Sequence, residues 1–160
     1  MMAVSENTLK WLMRLYPPLF FQRIWVKEFS KGFKGVKVKI NKSLLNKNYN
    51  GSIFGGTIFA AADPFFPILF NQTLNLNGKK HLKIWSKSSK IDFVKPGLTD
   101  LFFEIKLTDT DIERVLETLT IAGKYEGCFP VDIYNKNDEI CVSLLIEVYV
   151  RDLDFVKALI

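Results

Sequence analysis

Hydrophobic and polar positions divide the chain into short segments of differing period. Residues 5–16 repeat apolar side chains at helical spacing (Leu9, Leu12 with Met13, then Tyr16), and Pro17-Pro18 stops the pattern. Residues 33–40 change to a period of two, with Val36, Val38 and Ile40 on one side and Lys37 and Lys39 on the other. That alternation predicts a half-buried strand. Asn, Lys, Ser and Gly dominate residues 41–52, which read as a loop. From Gly55 to about Asn71 the chain is apolar on every helical face, so the helix predicted there must be wrapped by other structure. A polar turn region, 75–81, leads into strand patterns at 82–95, 101–107, 124–134 and 139–150. The last two are joined by a turn at 135–138. Thr110 to Ala122 predicts a short helix ended by Gly123.

This order predicts an α+β domain in which an antiparallel sheet of about five or six strands surrounds one central helix. A length of 160 residues suits one domain, and neither a repeat nor a dividing linker interrupts it. Residues 1–30 read as an N-terminal helical extension and 33–150 as the core of that single domain.

Composition narrows the possibilities. A hydrophobic content of 48%, with 14 Phe, excludes disorder and can supply a core, an apolar tunnel or a subunit interface. Charge is lopsided: residues 1–50 carry ten Lys/Arg against Glu6 and Glu28 (+8), and the rest twelve against fifteen (−3). A solvated basic face is the commoner cause, with anionic lipid, nucleic acid or a phosphorylated ligand as the alternatives. The interleaved Phe and Lys between Phe20 and Lys39 fit a strand with one buried face, so no nucleic-acid partner is expected. The basic amphipathic helix at 5–16 is expected to pack as a lid on its own domain rather than lie on a membrane.

No clean apolar signal segment opens the chain, because Glu6, Lys10 and Arg14 interrupt it, and no apolar run approaches a membrane span. A cytoplasmic protein without stable membrane insertion is the expectation. Cys128 and Cys141 are expected to be free thiols. His81 is the lone histidine, so no metal centre is expected, and no redox cofactor is implied. Neither a Gly-x-Ser-x-Gly elbow nor a phosphate-binding glycine loop occurs.

The chemistry concentrates in Asn48-Tyr49-Asn50-Gly51-Ser52-Ile53-Phe54-Gly55-Gly56 and, seven residues after Gly56, Asp63. Two glycines opening a helix leave unpaired N–H groups sterically accessible, and the helix dipole adds positive potential there. Such an end suits a carbonyl oxygen that becomes negative during acyl transfer. Asp63, set in an apolar segment, is either a general base or a structural carboxylate that receives hydrogen bonds. Gly55 and Asp63 stand about 12 Å apart along a straight helix, at 1.5 Å per residue. One reacting carbonyl needs both groups within about 3 Å, so a single helix cannot supply both, whereas two antiparallel copies can.

The run Asn-x-x-Gly-Ser-x-Phe-Gly-Gly, followed by an acid on the helix, resembles the signature of hotdog-fold thioesterases, Asn-x-x-Gly-Thr-x-His-Gly-Gly. The segment Lys90 to Leu107 with Lys95-Pro96-Gly97, and the closing hairpin 124–150, are similar to that family's strands. The likeness spans about residues 33–150 and is greatest to a branch catalogued as a domain of unknown function. It implies a hotdog fold, a homodimer or dimer of dimers, and an acyl-CoA or similar thioester as substrate. It also implies Asp63 as base or nucleophile, acting opposite Gly55 and Asn48 of the partner chain, with Gly56 keeping the helix end open. Phe54 replaces the family's His, and Pro64 follows the acid directly. Phe54, Ser88 (with Ser86 and Ser89) and Lys95 (with Lys83, Lys87 and Lys90) are further candidates for substrate contact. The bland alternatives are helix packing at Gly55-Gly56, a turn cap at Asn48 and solvated lysines. At the level of function, the alternative is a non-catalytic hotdog protein that binds acyl-CoA or acyl chains.

Overall fold

The computed structural model describes residues 4–156. Ser5 starts the first helix, α1 (Glu6–Leu15), by accepting a hydrogen bond from the Thr8 N–H at 3.1 Å. Pro17-Pro18 ends it and, as N-terminal residues with no N–H to satisfy, opens the short α2 (Pro17–Phe21). A strand, β1 (Ile24–Phe29), comes next, inside the stretch expected to be helical extension. Its buried residues Ile24, Val26 and Phe29 are interrupted by a bulge between Val26 and Glu28, which blurs the alternation in the sequence. A 3₁₀ turn (Lys31–Phe33) leads into β2 (Gly35–Ile40).

The central apolar segment forms α3 (Gly55–Ala62) and α4 (Phe65–Leu76). Asp63 keeps helical angles (φ −53°, ψ −48°) despite the proline after it, and Asp63-Pro64 forms the joint between α3 and α4. Pro64 and Pro67 fall at the start of α4, where missing N–H groups cost little. The rest comprises β3 (Leu82–Phe93), β4 (Leu101–Lys106), α5 (Asp109–Ala122), β5 (Lys124–Asn135) and β6 (Ile140–Asp152). Thr108 and Asp111 make a reciprocal capping box at the start of α5, and Gly123 closes it at φ 68°.

The six strands form one antiparallel sheet in the order β1-β2-β4-β5-β6-β3. The predicted α+β arrangement, a helix held by an antiparallel sheet, is therefore present. Phe65 packs edge-on to Phe103 at 6.1 Å between ring centres, and Phe66 and Phe70 lie 5.0 and 5.2 Å from Phe129. Losing any one of these buried rings is worth about 3–5 kcal/mol. Cys128 is exposed and Cys141 buried, both as free thiols, and burial pushes the Cys141 thiol up. One edge of the sheet is β1, against which α1 packs. The other is β3, twelve residues long, whose outer side pairs with nothing among the described residues.

Candidate active site

The loop before α3 is drawn tight by Asn48. Its side-chain oxygen accepts from the Ser52 N–H at 3.1 Å, its Nδ2 donates to Ser52 Oγ at 2.9 Å, and its own N–H donates to the Ser52 carbonyl at 2.8 Å. Gly51 sits at φ 76°, a left-handed turn that other residues resist. The Asn48 amide is thus committed to clasping this loop, which is the turn-cap role. The Ser52 hydroxyl, as acceptor, retains its proton for another partner. Ser52 was not among the sequence candidates, although it lies within the motif.

Beyond this clasp the chain enters α3, whose N-cap, Phe54, makes no side-chain capping bond. The first N–H groups with intrahelical partners are those of Thr57 and Ile58, both bonded to the Phe54 carbonyl. Among the described residues the Gly55 and Gly56 N–H groups have none. Here a pocket of about 340 Å³ opens, lined by Asn48, Ser52, Gly55, Ile58, Phe93 and Lys95 among others. Three of the sequence candidates therefore meet at one pocket.

The surroundings of the glycines discriminate packing from access. A Cβ on Gly35 would stand 2.8 Å from the backbone carbonyl of Ile105, so glycine is required there for close strand approach. A Cβ on Gly55 would meet only the tip of the Phe93 ring, at 2.9 Å, and Phe93 is 55% exposed and free to swing. The Phe54 ring lies over Gly56 instead of reaching toward Asp63. Gly55 is thus open to the pocket, and Gly56 is covered by its own neighbour.

Asp63 is at the far end of α3 and does not line this pocket. It is half-buried, and Ser86 Oγ donates to its backbone carbonyl at 2.9 Å. Its carboxylate receives no hydrogen bond among the described residues. The structural role, a carboxylate held by donors, is therefore not filled among the described residues.

Ser88 turns away from this region. The bulge at Lys87 puts Ser86 opposite buried Val148 and Ser88 opposite Glu147, so the two serines face opposite sides of the sheet. Ser88 Oγ donates to Glu147 at 2.7 Å on the outer face. Without the bulge, serines two apart would share a face, which is why the sequence could not separate them. Lys95 reaches the pocket but is paired with Glu139 at 2.6 Å. That hydrogen bond holds the ammonium above its ordinary range and the Glu139 carboxyl below its own.

The sheet, the central helix and the glycine-opened pocket define a hotdog-fold protein. Over residues 5–150 the chain matches the family described as a domain of unknown function (DUF4442), and it belongs to that family. Its fold is shared with a probable thioesterase of unknown function from Pseudomonas aeruginosa, at a TM-score of 0.80 and 17% identity over 94% of this chain and 97% of that one. It is shared too with the PaaI protein of the E. coli phenylacetic acid degradation operon, at a TM-score of 0.61 and 18% identity over 91% and 95%. A Streptococcus mutans protein solved with acetyl CoA aligns at a TM-score of 0.59 and 18% identity over 82% and 91%. No curated protein matches the chain.

Proposed function

We propose that the protein hydrolyses an acyl-CoA or similar thioester at a site built across a homodimer. The observation that carries this reading is the N-terminus of α3, where Gly55, its N–H without an intrahelical partner, lines a pocket that Asp63 of the same chain does not line. The separation of about 12 Å along the helix leaves the partner's acid as the one able to serve this pocket. The pocket also includes Phe93, Val94 and Lys95, at the end of the unpaired β3 edge, where a second chain would add. In this arrangement the Gly55 N–H polarises the thioester carbonyl and stabilises the oxyanion. Asp63, whose carboxylate accepts no hydrogen bond among the described residues, takes a proton from water or attacks directly. Asn48 acts through the loop it clasps, and Ser52 supplies the nearby hydroxyl. Two relatives in fold, one called a probable thioesterase and one bound to acetyl CoA, support the substrate class.

The second reading, acyl-CoA binding without turnover, draws on the Phe93 ring, whose tip stands 2.9 Å from where a Cβ on Gly55 would be and so takes up space beside the helix opening. Release of free thiol from acyl-CoA esters of graded chain length separates the two. Hydrolysis lost by a factor of about 10²–10⁴ in Asp63→Asn supports the enzyme. Ester binding with no thiol release from the wild type supports the carrier.

A further inference from the structure

Helix α1 carries apolar side chains on two faces, and among the described residues only one of them is used by the fold. Leu9 and Met13 pack inward. Leu12 and Tyr16, expected to share that stripe, instead point out. Thr8, Trp11, Leu12 and Leu15 follow the i, i+3, i+4, i+7 spacing of one helix face, and the last three are 51%, 57% and 66% exposed. The outward apolar surface continues through Tyr16 into Phe20 and Phe21 of α2. It is extended by the nearly bare Leu44 and Leu45, in a loop tied to the end of α2 by Asn46 Nδ2 donating to the Gln22 carbonyl at 2.8 Å. A group of exposed large apolar side chains on adjoining segments of this kind marks an interaction surface.

The charge around the patch specifies its partner. Lys10 and Arg14 flank Trp11, at 5.5 and 4.8 Å from its ring centre, and neither has a carboxylate within ion-pairing distance among the described residues. The acids of this half of the chain are occupied elsewhere: Glu6 accepts from the Gly32 N–H at 2.8 Å, and Glu28 pairs with Lys37 at 2.6 Å. Of the ten Lys/Arg in residues 1–50, Lys34, Lys37 and Lys39 pair with Asp109, Glu28 and Asp100. Arg14 Nε donates to the Val26 carbonyl at 2.7 Å, and Lys10 and Arg14 are the cations placed beside the aromatic surface, neither of them in an ion pair among the described residues. Trp, Tyr, Phe and Leu beside unpaired Lys and Arg suit the boundary between lipid headgroups and acyl chains. No helix among the described residues is long and apolar enough to cross a membrane, so the contact is peripheral. Helices α1 and α2 lie at the β1 end of the sheet, opposite the β3 edge, and the Leu44-Leu45 loop connects them to the segment that enters the pocket at Asn48.

We propose that α1, α2 and the Leu44-Leu45 loop form a docking surface for an anionic phospholipid bilayer, independently of what the pocket does. The test is sedimentation of the full chain with phosphatidylcholine vesicles, with and without phosphatidylglycerol. Binding is expected to the anionic vesicles, at least about tenfold above the neutral ones, and to weaken as salt rises. Leu15→Glu/Phe21→Glu, at two exposed positions, should bind at least about tenfold less. Ile121→Glu, at an equally exposed apolar residue on α5, should bind as the wild type does. As a check that needs no charge reversal, brominated lipid should quench wild-type tryptophan fluorescence and lose that component in Trp11→Phe. Four results overturn the proposal: no wild-type binding, equal binding to both vesicle types, undiminished binding in the double variant, or quenching unaltered in Trp11→Phe. A halved mass of the double variant by light scattering also overturns it, because the patch would then be a subunit contact.

Discussion

Gly55→Ala separates a glycine kept for packing from one kept for access. Alanine is favoured over glycine by as much as about 1 kcal/mol inside a helix, and by less in the first turn, where Gly55 lies. Against this, the new Cβ stands 2.9 Å from Phe93 Cζ, so the ring must turn aside. Forcing a side chain off its preferred torsion costs about 0.5–1.5 kcal/mol, and Phe93 is exposed enough to avoid most of that. The two effects oppose each other and leave a net change within about 1 kcal/mol, or about 2–4 °C in Tm for a chain of this size. On the proposed mechanism the same methyl crowds the carbonyl held at Gly55 and should lower thioester hydrolysis at least about tenfold, equivalent to 1.4 kcal/mol of transition-state binding. Calorimetry and a thiol-release assay on the same preparations measure both quantities. Gly35→Ala is the contrasting control: its Cβ strikes the Ile105 carbonyl, and it should lose about 1–3 kcal/mol. A large fall in Tm for Gly55→Ala, or full activity with its Tm unchanged, would refute the access argument.

Two further predictions concern the residues that support this frame. Burial pushes the nearly inaccessible Asp152 carboxyl up, but the hydrogen bonds from Lys79 and the Asp154 N–H, and the Lys79 charge, outweigh it and hold the group below its ordinary value. A depressed folded value contributes stability above the unfolded value, near pH 4, and loses it as pH falls through the folded one. Lys79→Met should therefore cost about 1–3 kcal/mol at neutral pH by chemical denaturation, with the gap closing in acid. Ser86→Ala should lower stability by about 0.5–1.5 kcal/mol and also disturb hydrolysis, because it frees the backbone of Asp63, whereas Ser88→Ala should leave turnover as it is.

The wrapped helix, the β2 strand and the closing hairpin were legible because their periods are clean and their boundaries carry Pro, Gly or Asn. β1 was not, because its bulge at Val26 and Glu28 breaks the alternation that identifies a strand. The face of α1 was misjudged for a related reason. Leu12 and Tyr16 satisfy helical spacing as well as Leu9 and Met13 do, and spacing alone does not say which stripe meets the core. In the site, the glycine opening was evident from residue types. The commitment of Asn48 to Ser52, and the exchange of Ser86 for Ser88, depend on a loop closure and a bulge that no period reveals.

The central claim, that each site draws Asp63 from one chain and Gly55 from the other, is tested most directly by mixing two inactive chains. Asp63→Asn and Gly55→Leu, each without thioesterase activity alone, are unfolded together, refolded at equal concentration and assayed for thiol release. Random pairing makes about half the dimers mixed, each with one intact site of two, so about one quarter of wild-type activity should return. Mixed dimers with no recovered activity would contradict the shared site, because a site confined to one chain stays broken in every combination.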